Sequence, residues 1–221
     1  MGSKRRDGTK ASRSRTGSKR RVGSKTSKTR AAILDGAEQL MLKGGYAAIT
    51  YRSAAAKAGV TAGLVQYYFP SLDDLFIALL RRSTDRIVER FEEASKADHP
   101  LRSVWEYASE ATGTALLMEF MALANRRRSI RAVIGEGGER VRRAQLAALS
   151  AKPERYRLEE DLPPRAVVFL MSCIPRMVHL EESFGTVIGH AETIALIKRF
   201  LDRVEPRARE RERAKPSASK T

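Results

Sequence analysis

The segment from residue 50 to residue 69 constrains this chain most, because it predicts two short helices joined by one tight turn. Thr50 suits the N-cap of the first helix, and the alanines that follow allow a second helix to approach closely. Gly59 supplies the turn, where glycine adopts a positive φ at little cost, and Thr61 offers the second N-cap. The segment is therefore predicted to be a helix-turn-helix, and its expected ligand is DNA.

With its surroundings, the segment resembles the N-terminal domain of TetR-type bacterial transcriptional regulators over roughly residues 29 to 80. The apolar helix before it and the aromatic-Phe-Pro-Ser exit after it make the pattern more specific than a helix-turn-helix alone. Leu72 departs from the pattern, because family members often have a phosphate-contacting lysine there, and Tyr51 and Gln66 also differ. The matching residues are Arg30, Ile33, Leu34, Ala37, Leu40, Gly45, Tyr46, Thr50, Ala55, Gly59, Val60, Tyr67, Tyr68, Phe69, Pro70, Ser71, Leu75 and Phe76.

The resemblance implies a homodimeric regulator, expected to be a repressor, that binds a palindromic double-stranded DNA operator. Its paired recognition helices would enter successive major-groove faces about 34 Å apart, and a small apolar or amphipathic effector would favour another spacing. No cofactor is expected. The residues expected to contact DNA are Thr50, Arg52, Thr61, Ala62, Gly63, Leu64, Gln66, Tyr67 and Tyr68.

Positive charge is concentrated at the N-terminus. Residues 1–28 hold eleven Lys or Arg against one Asp, in a chain whose net charge is +16. Such a tail cannot bury enough apolar surface to offset its ordering entropy, so residues 1–27 are predicted to be a disordered basic arm and residues 206–221 a disordered charged tail. The arm precedes the DNA-binding helices, which favours contact with phosphates, although a solubilising tail is the alternative.

Composition and motifs argue against several classes of protein. No apolar stretch approaches the roughly 18 residues of a membrane span, and the single cysteine, Cys173, excludes an intramolecular disulfide. A cytoplasmic protein without membrane partners is therefore predicted. The three histidines lack metal-ligand spacing, and no nucleotide-binding glycine motif or Gly-x-Ser-x-Gly elbow occurs. Neither a metal site nor an enzyme activity is expected.

Apolar residues recur with the helical period, and no window shows sustained alternation, so the fold is predicted to be all-α. A three-helix DNA-binding unit is expected over residues 28–70, followed by a helical ligand-binding and dimerisation domain over residues 71–205. Besides the helix-turn-helix, helices are predicted at 27–43, 71–95, 101–125 with a weak point at Gly113, 129–134, 139–149, 163–182 and 191–204. Gly135, Gly137 and Gly138 are expected to separate two of them, and residues 152–158 to form a loop.

The C-terminal half is rich in methionine and aromatic residues, which repack around varied apolar groups. Those expected to line the effector cavity that the resemblance implies are Trp105, Met118, Met121, Ile134, Phe169, Cys173 and Met177. An apolar stripe on the last helix is expected to form, with the preceding helix, a four-helix dimer interface, although it fits the protein's own core equally well. The expected interface residues are Val167, Ile174, Val178, Ile194, Ile197, Leu201 and Val204.

Two other functions remain alternatives. A largely non-specific DNA-binding protein would draw most of its affinity from the basic arm, with a steep salt dependence and no sequence preference. An all-α enzyme would turn over some small substrate.

Overall fold

The computed structural model describes residues 16–96, 98–150 and 162–206. These residues contain no β-strand, which confirms the all-α prediction, and none of their helices is long and apolar enough to cross a membrane. The helices are α1 (Thr16–Gly44), α2 (Tyr51–Ala58), α3 (Ala62–Tyr68), α4 (Leu72–Ala94), α5 (Pro100–Ala108), α6 (Ala111–Ala124), α7 (Arg128–Ser150), α8 (Pro164–Glu182) and α9 (His190–Val204), with a 3-10 turn at Tyr46–Ala48.

Helix α1 begins at Thr16, well before the predicted start near Ser27. The structure thus places residues 16–27 in a helix rather than in the disordered arm. Once the apolar segment from Ile33 onward is anchored on the core, each further residue adds a hydrogen bond at little entropic cost, and no proline interrupts the run. The rest of the predicted arm (1–15), the predicted loop (152–158) and residues 207–221 of the predicted tail lie outside the described residues.

The first of two apolar cores joins the three N-terminal helices to the first half of α4, to α6 and to the start of α7. Its centre is formed by Ile33 of α1, Val65 of α3 and Leu75, Phe76 and Leu79 of α4, all at most 1% exposed. Full burial of such a side chain contributes about 1.5–3 kcal/mol. Helix α4 starts as predicted, since Ser71 and Asp74 form a capping box in which the Ser71 side chain accepts from the Asp74 amide.

The predicted helix over residues 101–125 is wrong in one respect, because two helices occupy it. The break lies at Ser109 and Glu110 rather than at Gly113. Glu110 is extended, with φ −72° and ψ 116°, and its carboxylate is held by Arg90 of α4 at 2.6 Å. An ion pair between residues far apart in the sequence therefore lies at the break between α5 and α6, whereas Gly113 lies within α6.

The predicted interruption at Gly135, Gly137 and Gly138 is also wrong, since α7 is a single helix that packs along α4. At Gly137 a Cβ atom would lie 2.8 Å from the Thr84 hydroxyl oxygen. The missing side chain thus lets the two helices approach closely, and the packing gained outweighs the low helix propensity of glycine.

The second core lies among α5, α7, α8 and α9, and includes Phe91 at the end of α4, Leu101, Val168 and Leu201. A buried carboxylate closes it. Glu205 accepts hydrogen bonds from the amides of Leu101 at 2.8 Å and Arg102 at 2.9 Å, so the end of the described chain caps the N-terminus of α5.

Candidate DNA-binding surface and internal cavity

Local hydrogen bonds fix the start of α2. The Thr50 side chain accepts from the Ser53 amide at 3.0 Å, and the Ser53 hydroxyl accepts from the Thr50 amide at 2.8 Å. The Ser53 hydroxyl in turn donates to the Ala48 carbonyl at 2.8 Å. This capping box leaves Thr50 and Arg52 exposed at the beginning of the helix.

The turn between α2 and α3 has the predicted geometry. Gly59 is left-handed, with φ 66° and ψ 36°, and the Val60 amide donates to the Ala55 carbonyl at 3.0 Å. The Thr61 side chain then accepts from the Leu64 amide and caps α3. Because these bonds all join residues within five positions, the sequence specifies the helix-turn-helix locally.

Tyr51, a departure from the family pattern, has a structural role here. Its hydroxyl donates to the carbonyl of Pro70 at 2.9 Å and lies 3.3 Å from that of Phe69. The start of α2 is therefore tied to the residues that follow α3. Leu72, another departure, is half-buried against the first core and carries no charge that could bind a phosphate.

Helix α3 has one anchored and one open face. Val65 and Phe69 are buried, whereas Gln66 is exposed and Tyr67 is 77% exposed. Thr61 and Gly63 are also exposed, and no described atom lies within 4 Å of a Cβ placed on Gly63. Ala62, Leu64 and Tyr68 are half-buried. Of the nine residues predicted to contact DNA, six are thus exposed and three lie at the edge of the core.

A second site is a cavity of about 240 Å³ enclosed by helices of the C-terminal half. Its apolar wall consists of Leu80 and Ile87 from α4, Leu116, Leu117 and Phe120 from α6, and Ile134 and Val141 from α7. Its polar wall consists of Ser83, Thr84, Tyr107, Arg142, Gln145, Ser172 and Arg176.

Burial shifts the pKa of two polar groups of the cavity wall. Burial raises the pKa of the Tyr107 hydroxyl above its usual value, and the nearby Arg176 cation partly opposes this shift. Burial also lowers the pKa of Arg176, while Tyr107 raises it and the Arg142 charge lowers it further. The Arg176 Cζ lies 5.8 Å from the centre of the Tyr107 ring, and its Nη1 donates to the Ser172 carbonyl at 2.7 Å.

A hydrogen bond connects α6, one of the helices that line the cavity, to the helix-turn-helix unit. The Tyr46 amide donates to Glu119 Oε2 of α6 at 2.8 Å. The contact needs a close approach, because a Cβ on Gly45 would lie 2.9 Å from the same oxygen, and Gly45 also has a positive φ of 71°. Helix α6 therefore lines the cavity with Leu116 and Phe120 and holds the turn before α2 with Glu119.

A family model of bacterial regulatory proteins, the tetR family, matches residues 33–79. The chain is 37% identical over 68 residues to the HTH-type transcriptional repressor KstR of Mycolicibacterium smegmatis, and 41% identical over 61 residues to the repressor of that name from Rhodococcus jostii. The residues that the family model matches include α2 and α3, whose helix-turn-helix geometry is described above. By sequence, the similarity to the tetR family is therefore shown for this N-terminal segment of the chain.

The two matches cover 31% and 28% of this chain and 33% and 29% of the KstR proteins. The chain therefore spans about a third of the length of the curated relatives it matches. The fold extends further. A TetR transcription regulator from Haloarcula marismortui has a TM-score of 0.62 over 81% of this chain and 97% of its own, at 18% identity. That similarity shows a shared fold for the C-terminal half as well.

Most of the residues predicted to line an effector cavity do not line this one. Only Ile134 lines the cavity. Trp105, Met118 and Cys173 are half-buried, and Met121, Phe169 and Met177 are 48%, 55% and 54% exposed. Methionine content is a poor guide here, because no methionine lines the cavity in the described parts of the chain, whereas Arg142, Gln145 and Arg176 do. An arginine between Ile174 and Met177 on an otherwise apolar helix was the sequence signal for this site.

The predicted dimer stripe also needs correction. Val167, Ile197 and Leu201 belong to the protomer's own second core, and Ile174, Val178, Ile194 and Val204 are half-buried. The apolar side chains that α8 and α9 expose are others, including Leu170, Met177 and Leu196. The amphipathic pattern of α9 therefore marks its packing against α5 and α8 rather than an outward face.

Proposed function

We propose that this TetR-type protein represses transcription by binding a palindromic DNA operator as a homodimer, and that an effector in the cavity releases it. The observation that carries the proposal is the open face of α3, where Gln66 and Tyr67 project from a helix anchored by Val65 and Phe69. An exposed polar face on a fixed helix is what major-groove reading requires. Both KstR relatives are named transcriptional repressors, which supports repression rather than activation.

Within that surface, different roles follow from position. Thr50 and Arg52 lie at the exposed start of α2, where a hydroxyl and a guanidinium suit phosphate oxygens. Gln66 and Tyr67 are proposed to reach base edges, and the open backbone at Gly63 allows close approach of the DNA. Thr61, Ala62, Leu64 and Tyr68 are proposed to complete the contact surface around them.

The proposed dimer uses the outer faces of α8 and α9. Leu170 and Leu196 are 43% and 57% exposed and border an apolar groove between the two helices, flanked by Arg199 and Arg203. A second copy that packs here would bury these side chains, and a two-fold axis would present two recognition helices to two half-sites. Replacing Leu170 and Leu196 with Glu should give helical monomers in sedimentation experiments, whereas persistent dimers would place the interface elsewhere.

Effector release is proposed to act through α4 and α6, since both helices line the cavity and both contact the DNA-binding unit. Displacement of α6 would move Glu119 and the turn at Tyr46, and displacement of α4 would move the helix that directly follows α3. An effector that binds one arrangement better than the other shifts the equilibrium by that difference in affinity.

The test begins with selection of genomic DNA fragments by the full chain. On the selected operator, Gln66→Ala and Tyr67→Ala should each weaken binding by about 1–3 kcal/mol without loss of stability, because both side chains are exposed. Glu106→Ala, an exposed change on α5, serves as the control and should leave the affinity unchanged. If both variants bind like the wild type, α3 does not read the operator.

Competition and salt distinguish this proposal from non-specific binding by the basic N-terminus. Excess unrelated DNA should not displace the selected fragment. Removal of residues 1–15 should flatten the salt dependence by roughly 0.9 for each phosphate that these residues neutralise, while sequence preference remains. Equal affinity for all sequences would favour the non-specific alternative.

A further inference from the structure

We propose that the cavity takes a small apolar molecule that ends in a carboxylate, and that Arg176 and Arg142 together bind this anionic end. The inference rests on the proposed function in one respect, namely that this cavity is the effector site. It adds the chemical class of the effector, which neither the family nor its DNA-binding domain specifies.

The pairing state of the arginines is the first observation. Among the arginines whose side chains are described and at least half-buried, Arg82, Arg102 and Arg127 each form an ion pair with a carboxylate. Arg142 and Arg176 form none with a described residue, although both line the cavity. A buried cation without a counter-ion is costly. Within the described residues, Arg142 and Arg176 therefore lack the compensating carboxylate that the other three arginines have.

The second observation concerns hydrogen bonding. Arg142 Nη1 is buried and has no hydrogen-bond partner among the described residues. The Arg142 guanidinium lies over the Phe169 ring, with its Cζ 5.2 Å from the ring centre, so an aromatic face holds it in place. Arg176 Nη1 donates to the Ser172 carbonyl, and the Arg176 guanidinium lies over the Tyr107 ring. Both guanidinium groups are therefore positioned, and donors remain for a ligand.

The third observation is the composition of the wall. Within the described parts of the chain, no Asp or Glu lines the cavity, so the wall itself offers the two like charges no compensation. Burial lowers the pKa of Arg176, and the charge of Arg142 lowers it further. A carboxylate between the two groups would accept hydrogen bonds from both, in the planar geometry that guanidinium prefers.

The remaining wall sets the size and nature of the ligand's body. Leucine, isoleucine, valine and phenylalanine side chains cover the side contributed by α4, α6 and the start of α7. The volume of about 240 Å³ is below the roughly 300–1,000 Å³ of sites for drug-sized ligands. A medium-chain or small cyclic carboxylic acid therefore fits better than a large lipid.

Calorimetric titration of the full chain with hexanoate, octanoate and decanoate tests the proposed carboxylate site. 1-Octanol and octylamine serve as controls, because they have the same alkyl chain as octanoate but a neutral or a cationic terminal group. We expect octanoate or decanoate to bind about tenfold or more tightly than octanol, and octylamine not to bind. Arg176→Gln and Arg142→Gln should each weaken acid binding by about tenfold or more while leaving octanol binding unchanged. Arg143→Gln, an exposed neighbour on α7, is the matched control and should bind like the wild type.

Equal binding of octanoate and octanol would overturn the proposal, as would acid affinity unchanged in both cavity variants. If Arg176→Gln does not fold, Arg142→Gln and the comparison of head groups on the wild type still decide the question. DNA binding is scored separately. Acids that fail to bind while the operator is recognised contradict this inference alone, whereas acid binding without operator recognition contradicts the proposed function alone.

Discussion

The two halves of the molecule satisfy their polar groups in opposite ways. In the helix-turn-helix unit, Thr50, Thr61 and Ser71 each cap a helix through a residue three positions away. In the C-terminal half, buried polar groups meet partners far along the chain, as Glu205 does with the amides of Leu101 and Arg102. Beside this second network lies a cavity whose wall holds a buried donor, Arg142 Nη1, without an acceptor among the described residues.

Under the proposed function, this difference separates a part that keeps its shape from a part that responds to a ligand. A helix that reads DNA needs a fixed position, which short-range caps and a filled core provide. A ligand-responsive region needs space and groups whose partners arrive with the ligand. The contrast can be tested with paired substitutions of the same residue type in the two halves.

The largest expected difference is between two leucines. Leu79→Ala removes a side chain that is 0% exposed in the first core and should lower the free energy of unfolding by about 2–5 kcal/mol. Leu117→Ala removes a half-buried side chain that already faces the cavity, so its cost should be below about 2 kcal/mol. Urea denaturation measures both. Equal losses would mean that the cavity wall is as tightly packed as the core.

Remote and local helix caps give the next comparison. Glu205→Ala should cost about 2–4 kcal/mol, because it leaves two amides at the start of α5 without their buried acceptor. Ser71→Ala, which removes an exposed local cap of α4, should cost about 1 kcal/mol. Thermal and urea unfolding of the two variants provide the measurement. A smaller loss for Glu205→Ala would show that water replaces its carboxylate.

Two neighbouring glycines of α7 offer a third pair. Gly137→Ala should destabilise the protein by about 1–3 kcal/mol, because its Cβ would lie 2.8 Å from the hydroxyl oxygen of the β-branched Thr84. Gly138→Ala meets no described atom within 4 Å and should stabilise α7 by about 0.5–1 kcal/mol. The measurement is the change in melting temperature of each variant relative to the wild type. Changes of opposite sign would support the close packing of α4 and α7, and changes of the same sign would contradict it.

The smallest effect on stability is expected at the contact between the two halves. Glu119→Ala removes the acceptor of the half-buried Tyr46 amide and should cost about 0.5–1.5 kcal/mol. The same variant should reduce the change in operator affinity that octanoate causes, because the hydrogen bond between α6 and the turn before α2 is lost. Binding isotherms with and without the acid measure this coupling. An unchanged response would leave α4 as the only proposed route.

The features that the sequence predicted correctly depend on contacts between residues close together in the chain. The helix-turn-helix was predicted because Thr50, Gly59 and Thr61 act on residues up to four positions away. The continuity of α7 was not predicted, because Gly137 is explained only by Thr84 on another helix. The break before Glu110 likewise involves a contact with Arg90. Local chemistry is visible in a sequence, and contacts across many residues are not.

The site predictions show the same limit. Thr61, Gln66 and Tyr67 lie exposed on α3 as expected, and their role at DNA remains a prediction. The cavity residues were chosen by residue type, which gave Ile134 and missed Arg176. The apolar period of α9 predicted a helix with one apolar side correctly, but a period cannot tell whether that side meets the same protomer or a second copy.

Helix α4 belongs to both halves, since Leu75, Phe76 and Leu79 lie in the first core and Phe91 in the second. At about 1.5 Å per residue, its 23 residues form a rod of roughly 34 Å without an internal break. Neither core can melt without fraying the helix that the other one holds. The protein should therefore show one calorimetric transition, and the amides in the middle of α4 should be among the slowest to exchange with deuterium.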